Sequence, residues 1–167
     1  MRRAISWCGA GTGTALVMVL AVAWGEEEKV GLEKVPKGVV EAAKARFKGA
    51  EVRGTSKETE EGKVVYEVTI KHQGHNIDVT VTPEGEIILF EREITAKELP
   101  KRVGKALEGG YPKATYKRLE QIYKVEKKQE KLTYYEALLV TAEKKLLEVQ
   151  VTEEGKVVNE EEKKGSE

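Results

Sequence analysis

Apolar side chains recur at every fourth position in two stretches of the chain. In "VPKGVVEAAKARFKGAEV" (35–52) they are Val39, Ala43 and Phe47, and in "LPKRVGKALEGGYPKATY" (99–116) they are Val103, Leu107 and Tyr111. That spacing places each set on one stripe of an amphipathic helix. Pro36 and Pro100 suit the first helical turn, where a missing N–H costs nothing. Gly49 and the Gly109–Gly110 pair supply stop signals. After each helix the period falls to two. Val64, Tyr66, Val68 and Ile70 alternate with Val65, Glu67, Thr69 and Lys71, and Ile77, Val79 and Val81 alternate with Asp78 and Thr80. These are strands with one buried face. "TEEGK" at 59–63, "QG" at 73–74 and "PEG" at 83–85 read as tight turns between antiparallel neighbours.

The two stretches match at an offset of 64 residues, and the match continues downstream. "VVYEVTI" (64–70) meets "LTYYEALLV" (132–140) at offset 69, and "NIDVTVTPEGEII" meets "LLEVQVTEEGKVV" at offset 70. Offsets that grow in small jumps belong at hairpin tips, where inserted residues cost little. Element order, facing and helix stripe are kept together, which predicts a duplicated unit. The expected fold is therefore α+β: two tandem repeats, each one helix packed on a roughly four-stranded antiparallel sheet. Residues 35–94 form the first repeat and 95–158 the second. Residues 26–34 read as a linker and 159–167 as a charged, frayed tail.

The first 25 residues are a different material. "MRR" is followed by an uncharged run ending in Ala23, Trp24 and Gly25, and then by "EEE". A cationic start, an apolar run from Ala15 to Trp24 and small residues before an acidic break predict a secretory signal cut after Gly25. The competing reading is a retained membrane anchor, since Ala4 to Gly25 is long enough to span a bilayer. Cleavage removes Arg2, Arg3 and Cys8, leaving 27 basic against 29 acidic residues and no thiol. Charges of both signs are interspersed, with no basic stripe of the kind that binds nucleic acid. The expected location is periplasmic or secreted, in a bacterium, with no stable membrane insertion once the signal is removed.

"YPKATY" (111–116), "EREITAKELPKRV" (91–103) and the "YEV" strand before an acidic-Gly hairpin resemble the PepSY-like family, itself described as resembling the β-lactamase inhibitory protein. "FKGAEV" (47–52) departs from the pattern by carrying Lys48 where proline is expected. The resemblance covers residues 35 to 158. It implies an exported protein of tandem helix-plus-sheet units, without enzymatic activity, that binds or inhibits exported proteins or senses at the envelope.

Candidate chemistry is sparse. His72 and His75 flank the Gln73–Gly74 turn and are the only histidines. They could face each other as metal ligands, with Asp78 as the obvious third, but two ligands rarely suffice and a solvated turn explains them. Glu67 and Glu136 are acids that follow the corresponding tyrosines Tyr66 and Tyr135. Their strand positions predict exposed partners for Lys or Arg rather than acid–base catalysts. Ser56 and Ser166 have no base and orienter in view. "GAGTG" (9–13) lacks the strand–helix context of a phosphate loop. Tyr134 alternates away from Tyr135 and shares its side with Leu138 and Val140, an apolar row where a wetted face is expected. It reads as a second packing surface or as a partner-facing patch. The function these readings favour is a non-enzymatic exported module binding another exported or envelope protein through its open sheet face, with no cofactor and no resident metal. An envelope sensor or an inhibitor of an exported enzyme is the alternative. A small periplasmic hydrolase is a third, disfavoured by the missing triad.

Overall fold

The computed structural model describes residues 28–60 and 62–163. The signal segment, the Gly25 cut and Cys8 lie outside the described residues, as do Ser166 and the end of the acidic tail.

Nine strands form one antiparallel sheet in simple chain order, β1 to β9. They are β1 (Glu28–Lys29), β2 (Glu51–Glu60), β3 (Lys63–His72), β4 (His75–Val81), β5 (Ile87–Glu93), β6 (Thr115–Glu126), β7 (Gln129–Val140), β8 (Leu146–Val151) and β9 (Val157–Glu162). Two helices interrupt the meander, α1 (Lys37–Arg46) before β2 and α2 (Lys101–Gly110) before β6.

Both helical stripes are in the core. Val39, Ala43 and Phe47 pack with Val68, Ile70, Ile77, Val79, Val81 and Phe90. Val103 and Leu107 pack with Leu119, Tyr135, Ala137, Leu139, Val149 and Val151. The two clusters lie on the same side of the sheet. Val79 is paired with Phe90 and Phe90 with Tyr123, and Tyr123 shares its strand face with Leu119 of the second cluster.

The expectation of two tandem helix-on-sheet repeats is overturned by the seam between β5 and β6. Leu89 to Glu93 pairs with Glu120 to Lys124 along the full overlap, so the strands after each helix belong to one sheet. Phe90 and Tyr123 stack across that seam at 4.6 Å, and Phe47 meets Phe90 edge-on at 5.4 Å. A strand edge left open there would expose unpaired N–H and C=O groups beside apolar rings, and closing it removes both costs.

Two segments read as unstructured also pair. Glu28 and Lys29 lie against Lys57 and Ser56. Asn159 to Glu162 continues β9 against Gln150 to Leu147. A charged outer strand is a common way to keep a sheet edge from recruiting another chain, so polarity there is no argument against strand.

The hairpin after β4 and the one after β8 tuck under the helices. Gly85 has φ +86° and an added Cβ there would stand 3.0 Å from the Gly38 carbonyl oxygen. At Gly155, φ is also +86°, and the same atom would stand 2.8 Å from the Arg102 carbonyl oxygen. Only glycine fits both the left-handed backbone and the space.

Candidate functional site: a carboxylate cluster on the sheet face opposite the helices

Neither helix lies on the second face of the sheet. Two ladders of directly paired residues cross its middle. One runs Thr69, Asp78, Glu91, Ile122, Tyr134. The next runs Glu93, Glu120, Glu136, Gln150, Asn159. Bulges set the aim. An extra residue at Lys117 turns Arg118 away from the side that Tyr116 occupies, so that Arg118 joins Glu120. An extra residue at Thr133 similarly separates Leu132, on the helix side, from Tyr134.

Three carboxylates converge where these ladders meet. One oxygen from each of Glu91, Glu120 and Glu136 lies within 4.8 Å of the others, and all three residues are buried. Their exposures are 8%, 3% and 7%. Glu120 stands directly opposite Glu136, an arrangement that is unfavourable for like charges. Arg118 Nε lies 2.9 Å from Glu120 Oε2, and Gln150 Nε2 donates to Glu136 Oε2 at 3.1 Å.

Burial is the main cause of the perturbed acidities. It pushes Glu91 up to about 9, with the Glu120, Glu136 and Glu67 carboxylates adding to the effect and Arg118 opposing it. Glu120 rises to about 7, held back by Arg118. Glu136 is raised by burial and by Glu148, against the Gln150 hydrogen bond. Burial and the nearby Glu136, Glu91 and Glu148 also lift the Tyr134 phenol above its ordinary range. Chemically, such a cluster can share protons or hold a cation.

The structure places the residues singled out in the sequence as follows. Tyr134, Leu138 and Val140 do share the face away from the helices and are half-buried, but buried Glu136 stands within their row. Glu136 is thus not the exposed ion-pair partner its position suggested. Glu67 lies on the same face, paired with Ser56 and Thr80 rather than with Glu136. His72 and His75 are directly paired across their turn, on the helix side. His72 packs edge-on against Phe47 at 5.7 Å. His75 Nδ1 donates to the Glu93 carbonyl oxygen at 2.9 Å. Asp78, the third ligand considered, belongs to the opposite face with Glu91, so the turn does not gather a ligand set. Glu91 and Glu120 were missed. They sit on strands joined only by the β5–β6 seam, and nothing local in the sequence announces that pairing.

No family model matches the chain, and no curated protein matches it in sequence. Solved structures do match. A DUF2874 family protein from Bacteroides uniformis superposes with a TM-score of 0.62 at 16% identity, covering 77% of this chain and 89% of that one. A Bacteroides eggerthii protein described as "putative periplasmic" gives 0.62 at 15%, over 77% and 88%. A BLIP-like protein from Bacteroides fragilis gives 0.60 at 14%, over 80% and 89%. The chain thus has a BLIP-like fold, the part of the sequence resemblance that holds, and not the tandem helix-plus-sheet units that the resemblance also implied. The periplasmic description agrees with the location read from the sequence. Among the described residues, no helix is long and apolar enough to cross a membrane.

Proposed function

We propose that the chain is an exported, non-enzymatic binding module of PepSY-like type that engages another exported protein through the sheet face opposite its helices. One observation carries this reading: α1 and α2 occupy the same face of a continuous nine-stranded sheet. On the other face, half-buried Tyr134, Leu138 and Val140 stand among charged side chains. An apolar, tyrosine-bearing centre with a polar surround is the composition of a protein interface.

The test is affinity for a partner captured from an envelope extract, measured for wild type and Tyr134→Ala. We expect the substitution to weaken the purified complex by more than about 1 kcal/mol with little change in melting temperature. Loss of thermal stability with affinity retained in the folded fraction would make Tyr134 a packing residue and sink the proposal.

A second reading is inhibition of an exported enzyme, favoured by the BLIP-like neighbour. Titrating the chain against a panel of β-lactamases checks it directly. Tight, stoichiometric loss of activity would support inhibition, and full activity at saturating protein would remove β-lactamases as targets.

A further inference from the structure

We propose that Glu91, Glu120 and Glu136 form a binding site for a hard divalent cation, with Ca2+ preferred. The site is built from three adjacent strands, β5, β6 and β7, so its ligands are fixed by sheet register and not by a loop.

Charge on this face calls for a cation. Among the described residues, Arg118 is the one base in contact with the three carboxylates, through Glu120. When ionised, three carboxylates and one guanidinium leave two negative charges, and Glu67 and Asp78 add to the negative field. Lys163, just past the end of β9, also acts on Glu136, but its ammonium is engaged by Glu148 at 3.2 Å and Glu161 at 2.9 Å.

A second observation concerns Glu91 itself. It is more than nine-tenths buried and aimed at the other two carboxylates. Among the described residues it accepts no hydrogen bond and forms no ion pair, whereas Glu120 has Arg118 and Glu136 has Gln150. A carboxylate this buried, with Arg118 only as a more distant counter-charge, is costly to ionise. A cation bridging all three would satisfy it.

Ligand chemistry selects the ion. The donors are carboxylate oxygens without sulfur or imidazole, which suits Ca2+ and Mg2+ over zinc or copper. Three oxygens within 4.8 Å of one another can share one such ion, and Ca2+ accepts irregular oxygen geometry. The rigid octahedron of Mg2+ is harder to build beside Arg118.

The site lies on the same sheet face as the proposed protein interface, beside Tyr134, but its test needs no partner. The exported chain is melted in chelator, in Ca2+ and in Mg2+, and titrated with Tb3+, whose emission a nearby tyrosine sensitises. Tyr134 is two residues from Glu136 on the same face. We expect a melting temperature several degrees higher in Ca2+, a smaller rise in Mg2+, and Tb3+ emission displaced by Ca2+. Glu91→Gln should weaken Ca2+ by at least about tenfold, the loss seen when even an outer partner of a metal ligand is removed. Glu136→Gln, which can still meet Gln150, is the second variant should Glu91→Gln fail to fold. His75→Ala should leave the response intact. No Ca2+ shift and no Tb3+ emission in the wild type would overturn the site and mark the cluster as a proton-sharing one. Unchanged Ca2+ affinity in both glutamine variants, or loss in His75→Ala, would overturn it as well.

Discussion

Two glycines with nearly the same backbone angle separate strain from crowding. Gly74 has φ +88° with nothing within 4 Å of an added Cβ, and Gly155 has φ +86° with the Arg102 carbonyl oxygen at 2.8 Å. Alanine at either site meets the left-handed penalty of about 1–2 kcal/mol. At Gly155 it must also push β8–β9 away from the first turn of α2. Denaturant unfolding should therefore show Gly74→Ala costing about 1 kcal/mol and Gly155→Ala clearly more; equal costs would show that the hairpin does not rest on the helix. The turn between β6 and β7 shows the opposite case. Lys127 and Lys128 take φ values of +50° and +64° without a glycine between them, so no turn signal was there to read. At the carboxylate cluster, the folded state holds protons that the unfolded chain releases. With Glu91 raised to about 9 and Glu120 to about 7 from the ordinary carboxyl value of 4.5, folding binds protons. This contribution to stability in chelator is fully present at and below about pH 4.5 and is lost as pH rises through 7 toward 9. Glu91→Gln should flatten that fall in melts taken across this range; an identical slope in the variant would place the titration elsewhere.

At the scale of elements, periodicity was a good guide wherever one face is dry. The four-residue stripes of α1 and α2 are buried because each helix has only the sheet to cover it, and Val39, Ala43, Val103 and Leu107 are almost fully enclosed. The Gly-containing hairpins were legible for the same local reason. The helix-end anchor Phe47 is 5% exposed and touches Phe90 and His72, with the Arg46 guanidinium 4.7 Å above its ring. Phe47→Ala should cost about 3–5 kcal/mol, as for other buried aromatics. A loss below about 0.5 kcal/mol in equilibrium unfolding would mean that α1 is not anchored there. Strand β9 was illegible beyond Val158, since four polar residues in a row carry no period, and only pairing with Leu147 to Gln150 makes them strand. Glu136 was misread for a related reason. Alternation says which face a residue takes, but not how far its neighbours bury it.

At the scale of the whole molecule, sequence similarity between two stretches suggested two bodies, and the seam makes them one sheet. Repeated patterns record how each half packs its own helix. They do not record whether β5 and β6 meet, because that contact bridges α2 and depends on Phe90 and Tyr123 finding each other across it. The consequence is cooperative unfolding. Separating the halves would open five backbone pairings from Leu89–Lys124 to Glu93–Glu120 and bare the stacked rings, while also splitting Glu91 from Glu120. Neither half can lose structure without exposing an edge of the other. Calorimetry should show a single transition with matching van't Hoff and calorimetric enthalpies, and Tyr123→Ala should move that transition without splitting it. Hydrogen exchange should then protect β3–β4 and β7–β8 to a similar degree, despite their belonging to separate apolar clusters. Two resolved transitions in the wild type, with one cluster exchanging while the other stays protected, would show that the β5–β6 seam is a docking contact between independent bodies and not the middle of one sheet.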